Sequence, residues 1–316
     1  MLGILFVIIL AIISLSTGTG QMALGNILKN EASFREWQIF VQSRIPRTVA
    51  LILSGASMAV TGLIMQMLVQ NRFVEPSTTG ITESAGLGIL IVTIYHPTSS
   101  IMFKMCFAVL FALVGTFTLI TIIRSIPNRD IVVVPLLGLT FSGIVGALAT
   151  FLAWKYTLQG TLHAWYLGDF SGVIKGRYEL LYLAAMAAII SYFFADMFTI
   201  ASLGEDMARS LGLNQRKVIL IGLLIVAVVT GITTIVAGTL PFLGIVVPNI
   251  VSLIFGDFVR KSLPFVALGG ATFVLCADIL SRSLIAPSEI PVGVIMGVLG
   301  AGLFLFVLLR SQPHEN

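Results

Sequence analysis

Charge is the scarcest property of this chain. Only 10% of its 316 residues are Asp, Glu, Lys or Arg, against about 25% in soluble domains, which excludes a water-solvated globular surface. Cysteine is almost missing too. Cys106 and Cys276 both fall in apolar stretches, where a thiol behaves as a small hydrophobe, and they say little about a redox compartment. The three histidines, His96, His163 and His314, are scattered, and no Cys/His/carboxylate cluster has metal-ligand spacing. No metal site and no cofactor are expected, which argues against bare iron as a cargo. No Gly-x-x-x-x-Gly-Lys-[Ser/Thr] phosphate loop occurs, so the chain is not expected to hydrolyse ATP by itself. Its serines and aspartates have no nucleophile motif beside them, which leaves a membrane-embedded enzyme without support.

What is present is apolar. Hydrophobic residues make up 57% of the chain and mean hydropathy is +1.05. A spanning helix needs about 20 largely apolar residues, and ten spans are predicted at 3–19, 47–69, 79–95, 102–123, 131–153, 178–198, 218–236, 243–255, 264–281 and 291–310. The expected fold is therefore an all-α membrane protein, with almost nothing left over for a soluble domain. The first span starts at Leu2 without a basic stretch, which disfavours a cleaved signal peptide. With the N-terminus cytoplasmic, nine basic residues fall in inner loops and nine in outer ones, so the positive-inside rule decides less than usual. An outer face this basic has two readings: headgroup contact by snorkelling side chains, or docking of an acidic partner.

Glycine and proline mark close packing and a break. Gly55 and Gly62 place small residues on a helix face where backbones can approach. Residues 237–249 hold two glycines and two prolines, Pro241 and Pro248, and cannot form a straight span. Non-helical backbone at membrane depth is tolerated only beside protein or a watery cavity, so a bent, pathway-lining eighth span is expected. The segment 47–62 also matches 216–231 at seven of sixteen positions, and the two would enter the membrane from opposite faces, as in an inverted repeat.

One short charged helix interrupts the apolar pattern near Gly204-Glu205-Asp206-Met207-Ala208-Arg209-Ser210-Leu211-Gly212. Acidic residues at its start suit the helix dipole and Gly212 suits a C-cap. Leu203, Met207 and Leu211 recur at i, i+4 and i+8, giving one apolar stripe to set into a partner's groove. The bland alternative is a connector lying on the membrane surface. Two carboxylates fall inside spans, where charge is costly. Asp278 has Arg282 four residues on, so an i,i+4 pair can satisfy both. Glu83 has no local partner, and lining a pathway, pairing with another helix and carrying a proton all stay open.

Five separated motifs carry a resemblance. Arg44-Ile-Pro-Arg47, Gly55 through Gln66, the helix of residues 203–213, Pro241 through Asn249, and Ala277-Asp278 through Arg282 with Ala286 through Gly293 are similar to the FecCD-type permease family. These are membrane subunits of bacterial ABC importers for iron-siderophores, haem and cobalamin. The resemblance implies a single permease domain over 1–316, dimeric around a central pathway in the cytoplasmic (inner) membrane. It also implies a second permease subunit, two cytoplasmic ATPases and an extracytoplasmic siderophore-binding protein as partners. By the same resemblance, the helix at 203–213 couples to the ATPase, and Arg44, Arg47 and Arg282 dock the binding protein. Gln66, Glu83, Pro241, Pro248 and Asn249 become pathway candidates, and Pro127, Asn128 and Arg129 candidates for an inner gate. Three departures, at Asn71 through Pro76, Gly80 through Ala85 and Val247 through Asn249, resemble a subgroup importing catecholate-containing siderophores such as petrobactin or anguibactin. The rival readings are a secondary transporter driven by a proton or sodium gradient, and a haem or cobalamin permease of the same family.

Overall fold

The computed structural model describes residues 2–18, 33–126, 133–256 and 258–310, and of Glu205, Asp206, Leu308 and Arg310 it describes the backbone only. All regular structure among the described residues is helical. In chain order the helices are α1 (Leu2–Ser16), α2 (Phe34–Ile39), α3 (Ile45–Val69), α4 (Ile81–Tyr95), α5 (Ile101–Ser125), α6 (Val133–Lys155) and α7 (Gln159–Tyr166). They continue as α8 (Leu181–Phe193), α9 (Ala195–Ser202), α10 (Glu205–Ser210), α11 (Gln215–Ala237), α12 (Leu243–Phe255), α13 (Val259–Ser283) and α14 (Val292–Arg310).

Every predicted span carries an apolar helix, but not all are long enough to cross alone. Five are: Phe34–Val69, which joins α2 to α3 through a π-turn, then α5, α6, α11 and α13. The segment Tyr178–Phe193 and α9 make a sixth candidate, bent by 65°. Helices α1, α4, α12 and the Val292–Val307 part of α14 are apolar but shorter. The second span departs most from expectation, because its helix begins at Phe34 rather than near Arg47.

Helix α3 is the centre of the bundle and touches α8, α11, α12 and α13. Its sequence explains why. A methyl added at Gly55 would lie 2.6 Å from the Gly270 carbonyl oxygen of α13, and one at Gly62 only 2.2 Å from Gly244 Cα of α12. Apolar side chains gain little by leaving lipid for protein, so helices here associate where small residues bring backbones together. The threading alternates between two faces. Arg44 bonds the last carbonyls of α1, and Arg47 at the start of α3 meets Asp278 near the end of α13. On the opposite face Gln70, past the end of α3, donates to Ser202 O, and Gln215 at the start of α11 donates to Ala201 O.

Candidate translocation site

The eighth span itself is not bent as expected: α12 runs unbroken from Leu243 to Phe255, and the non-helical turn lies before it, between α11 and α12, where Gly238 and Phe242 make it. Gly238 has φ +78 and Phe242 φ +62, so the chain leaves α11, turns through Pro241 and starts α12 at Leu243. Phe242 is a bulky residue in the left-handed region, which is uncommon outside constrained sites. Pro248 does not cause the bend, since it lies inside α12. Its contribution is chemical. Proline has no N–H, so the carbonyl four residues earlier loses its helical donor. That carbonyl is Gly244 O, and the Gln66 side chain of α3 donates to it at 2.9 Å. Asn249 extends the staple by donating to Arg72 O at 2.9 Å and to Ile245 O at 2.7 Å.

Sequence reasoning missed the centre of this arrangement. Glu75 is 1% exposed and accepts from the backbone N–H groups of Phe242 and Gly244, each at 2.7 Å. The Ser77 hydroxyl donates to the same carboxylate. The first amides of a helix have no intrahelical acceptor and carry the positive end of the dipole, so Glu75 caps α12 from the turn after α3. A lone acidic residue in a short turn between apolar spans was the available signal. Phe73, Phe242 and Phe304 add an aromatic cluster that ties this turn and the break to α14, with ring centroids 5.8 Å and 6.2 Å from Phe304. The site thus joins Gln66, Glu75, Pro248 and Asn249, with Pro241 at its rim.

The link between Gln66 and Pro248 makes a test. Gln66→Ala leaves the buried Gly244 carbonyl unpaired and is expected to destabilise the protein by about 1–2 kcal/mol. In a Pro248→Ala background the loss is expected to shrink, because a backbone N–H returns at position 248. Melting of the purified single and double variants gives the coupling, and strictly additive effects would contradict the substitution of one donor for the other.

Arg44, Arg47 and Arg282 come together as a group, but facing inward. Their exposures are 8%, 8% and 7%, whereas docking a partner, as the resemblance implied, calls for exposed side chains on the outer face. Arg47 bonds Asp278 at 2.8 Å and Glu289 at 2.7 Å. Arg282 pairs with the same Asp278 four residues earlier, as the sequence spacing suggested. It also donates to Ser14 O at 3.1 Å and to the Ser14 hydroxyl at 2.8 Å. Arg44 donates to Leu15 O at 2.8 Å and Ser16 O at 3.3 Å. The reason is the C-terminus of α1. Its last carbonyls lack helical donors and sit at the negative end of a dipole, and two guanidinium groups supply the donors. Asp278, wholly buried, balances the charge.

Helix α10 is shorter than the predicted segment, and Leu203 lies before it, at the end of α9. Its C-terminus is closed by Gly212 at φ +75, with Leu213 N–H bonding Ala208 O and Gly212 N–H bonding Arg209 O. That pair of bonds is the Schellman motif that glycine permits. Ala208 faces the protein, while Leu203, Met207 and Leu211 stand 61%, 51% and 58% exposed. Glu83 packs opposite Gly146 of α6, and one of its carboxylate oxygens is buried without a hydrogen bond among the described residues. Pro127, Asn128 and Arg129 lie outside the described residues, as do the side chains of Glu205 and Asp206. No group of three or more His, Cys, Asp or Glu among the described residues is placed to hold a metal.

A bundle of apolar helices packed around α3, with α12 stapled to it by polar side chains, is the architecture of a membrane-embedded protein. The chain belongs to the FecCD transport family, whose pattern matches residues 5–310. It is 43% identical over 313 residues to the petrobactin import system permease protein YclN of Bacillus subtilis, covering 98% of each chain. Identity to the petrobactin import system permease protein FatD of Bacillus anthracis is 39%, over 100% of this chain and 92% of the relative. The ferric-anguibactin transport system permease protein FatD of Vibrio anguillarum is 38% identical over 88% of each. The fold matches that of an inward-facing metal-chelate type ABC transporter with a TM-score of 0.82, covering 98% of this chain and 97% of the other at 21% identity.

Proposed function

We propose that this chain is the permease subunit of an ATP-driven ABC importer that carries iron-siderophore complexes, of the catecholate-containing kind, across the bacterial cytoplasmic membrane. The observation that carries the reading is full-length likeness to petrobactin permeases at about 40% identity. Energy comes from two separate ATPase subunits on the face bearing α10, and cargo arrives from a binding protein on the opposite face. A second permease subunit, of the same or a related chain, completes the pathway. The staple at Glu75, Gln66 and Asn249 holds α12, which lines the path in this reading, and Glu83 beside α6 is a further polar group available to it.

Reconstitution with the ATPase and binding protein in liposomes tests the reading: uptake of ferric petrobactin is expected to require ATP, while haem and cobalamin are excluded. Uptake that follows a proton or sodium gradient without ATP would establish a secondary transporter instead. The coupling role of α10 has its own test. Met207→Glu or Leu211→Glu places charge on the exposed apolar row and is expected to lower ATP-driven uptake at least tenfold with insertion unchanged. Uptake at the original rate in both variants would remove α10 from the ATPase contact.

A further inference from the structure

The face of α3 opposite Gly55 and Gly62 is left open between α8 and α13. Leu53, Ala56, Ser57 and Val60 recur there at i, i+3, i+4 and i+7 and form the floor of a groove, walled by Ile189 and Phe193 of α8 and by Pro264 and Ala267 of α13. It measures about 380 Å³, within the roughly 300–1,000 Å³ of small-molecule sites. No charged side chain lines it, and its only hydroxyls are those of Ser57 and Tyr192. Ile189 and Phe193 stand 64% and 76% exposed on its rim, so the groove opens sideways into the surrounding medium, which for a bundle of apolar spans is lipid.

One end of the groove is charged. Arg260 precedes Pro264 by four residues and Ala267 by seven and shares their face of α13, and its guanidinium lies 5.6 Å from the centre of the Tyr192 ring. Tyrosine and arginine collect at headgroup level, where ring and stem stay apolar while the tips meet water. From Arg260 to Ala267 is about 10 Å along the helix, so the groove runs from that level into the hydrocarbon. Arg260 bonds Asp196 of α9 at 2.6 Å, with the two side chains 59% and 62% exposed. A guanidinium has five donors and a carboxylate two acceptor oxygens, and the pair joins only Nη1 to Oδ2. Capacity of both signs is left at the mouth. Lys261, one residue on, is turned to the Phe258 ring.

We propose that this groove holds one acyl chain of a zwitterionic, amine-bearing phospholipid, phosphatidylethanolamine, whose phosphate accepts from Arg260 and whose ammonium donates to Asp196. The apolar lining takes the chain, and the paired charges at the mouth match a headgroup that carries both signs. A purely anionic headgroup would meet the Asp196 carboxylate with no cation to offer it. Phosphatidylcholine has the cation but no N–H to donate. The site is independent of the cargo and of the source of energy.

Titration of the delipidated, full-length chain in detergent with phosphatidylethanolamine, phosphatidylglycerol or phosphatidylcholine, followed by native mass spectrometry, tests this. Wild type is expected to take up one phosphatidylethanolamine about fivefold more tightly than either other lipid, the weight of one well-placed exposed ion pair. Asp196→Asn is expected to abolish that preference while phosphatidylcholine binding stays within twofold. Arg260→Gln is expected to weaken all three lipids about fivefold or more. Ala188→Phe, which fills the groove, is expected to remove the tight site for every lipid, and Ala267→Phe from the opposite wall to do the same. Melting temperatures of the two charge variants are expected to match wild type, since both side chains are exposed. Equal binding of the three lipids by wild type, tighter binding of phosphatidylglycerol, or wild-type lipid binding in Arg260→Gln and both filled variants would each overturn the site. So would a wild-type dimer that Ala188→Phe splits with lipid binding unchanged, which would give the groove to a second copy of the chain.

Discussion

Asp278→Ala is expected to be the most damaging single change in the chain. It would leave Arg282, under a tenth exposed, without a carboxylate, and Arg47 with Glu289 alone. Breaking a buried pair typically costs about 3–5 kcal/mol, because the remaining charge, here that of Arg282, stays desolvated. The yield of monodisperse, membrane-inserted protein is expected to collapse, and Glu289 cannot compensate, since it reaches Arg47 alone. Replacing all three members of the cluster by apolar residues of similar volume is expected to recover much of the yield, because that removes the desolvation cost with the attraction. Normal yield and melting temperature for Asp278→Ala would show that water or lipid headgroups reach these arginines. The same measurement separates the internal role from docking: a docking residue would lose partner affinity with its melting temperature unchanged.

The second large effect is expected at Glu75. Alanine there removes the acceptor for the Phe242 and Gly244 amides, each a charge-assisted bond of about 1.5–3 kcal/mol. Part of that is recovered by relaxation, leaving a loss on the order of 2–4 kcal/mol. Because the bonds fix where α12 begins beside Gly62, uptake per inserted molecule is expected to fall further than stability does. Glu75→Gln keeps one acceptor and is expected to be intermediate, whereas Glu75→Asp is one methylene too short to reach both amides. Transport by Glu75→Ala at the wild-type rate per molecule would separate the cap from the pathway.

The helices, their order and the membrane environment were legible from the residues, because lipid forces backbone groups to bond within each helix and hydropathy then marks the segments. The glycines and prolines of 237–249 likewise announced a break, but it falls at 238–242, while Pro248 continues the helix. The i,i+4 relation of Asp278 and Arg282 could be read because it is a local property. The limits of each element were less legible. Nothing in the apolar pattern showed that the second span would run back to Phe34, where a capping box starts the helix.

Contacts between residues far apart in the chain had no local trace. Glu75 stood in a motif as an unremarked position, yet it caps a helix 167 residues later, and Gln66 serves a carbonyl that Pro248 deprives of its donor. The three arginines show the difference most clearly. Sequence determined that cations would gather where α3 begins and α13 ends. Whether they faced a partner or their own chain depended on α1, whose C-terminal carbonyls arrive at the same point only after packing. A guanidinium beside unsatisfied carbonyls and a buried carboxylate turns inward because leaving those groups unpaired in a low-dielectric interior costs more than giving up contact with water.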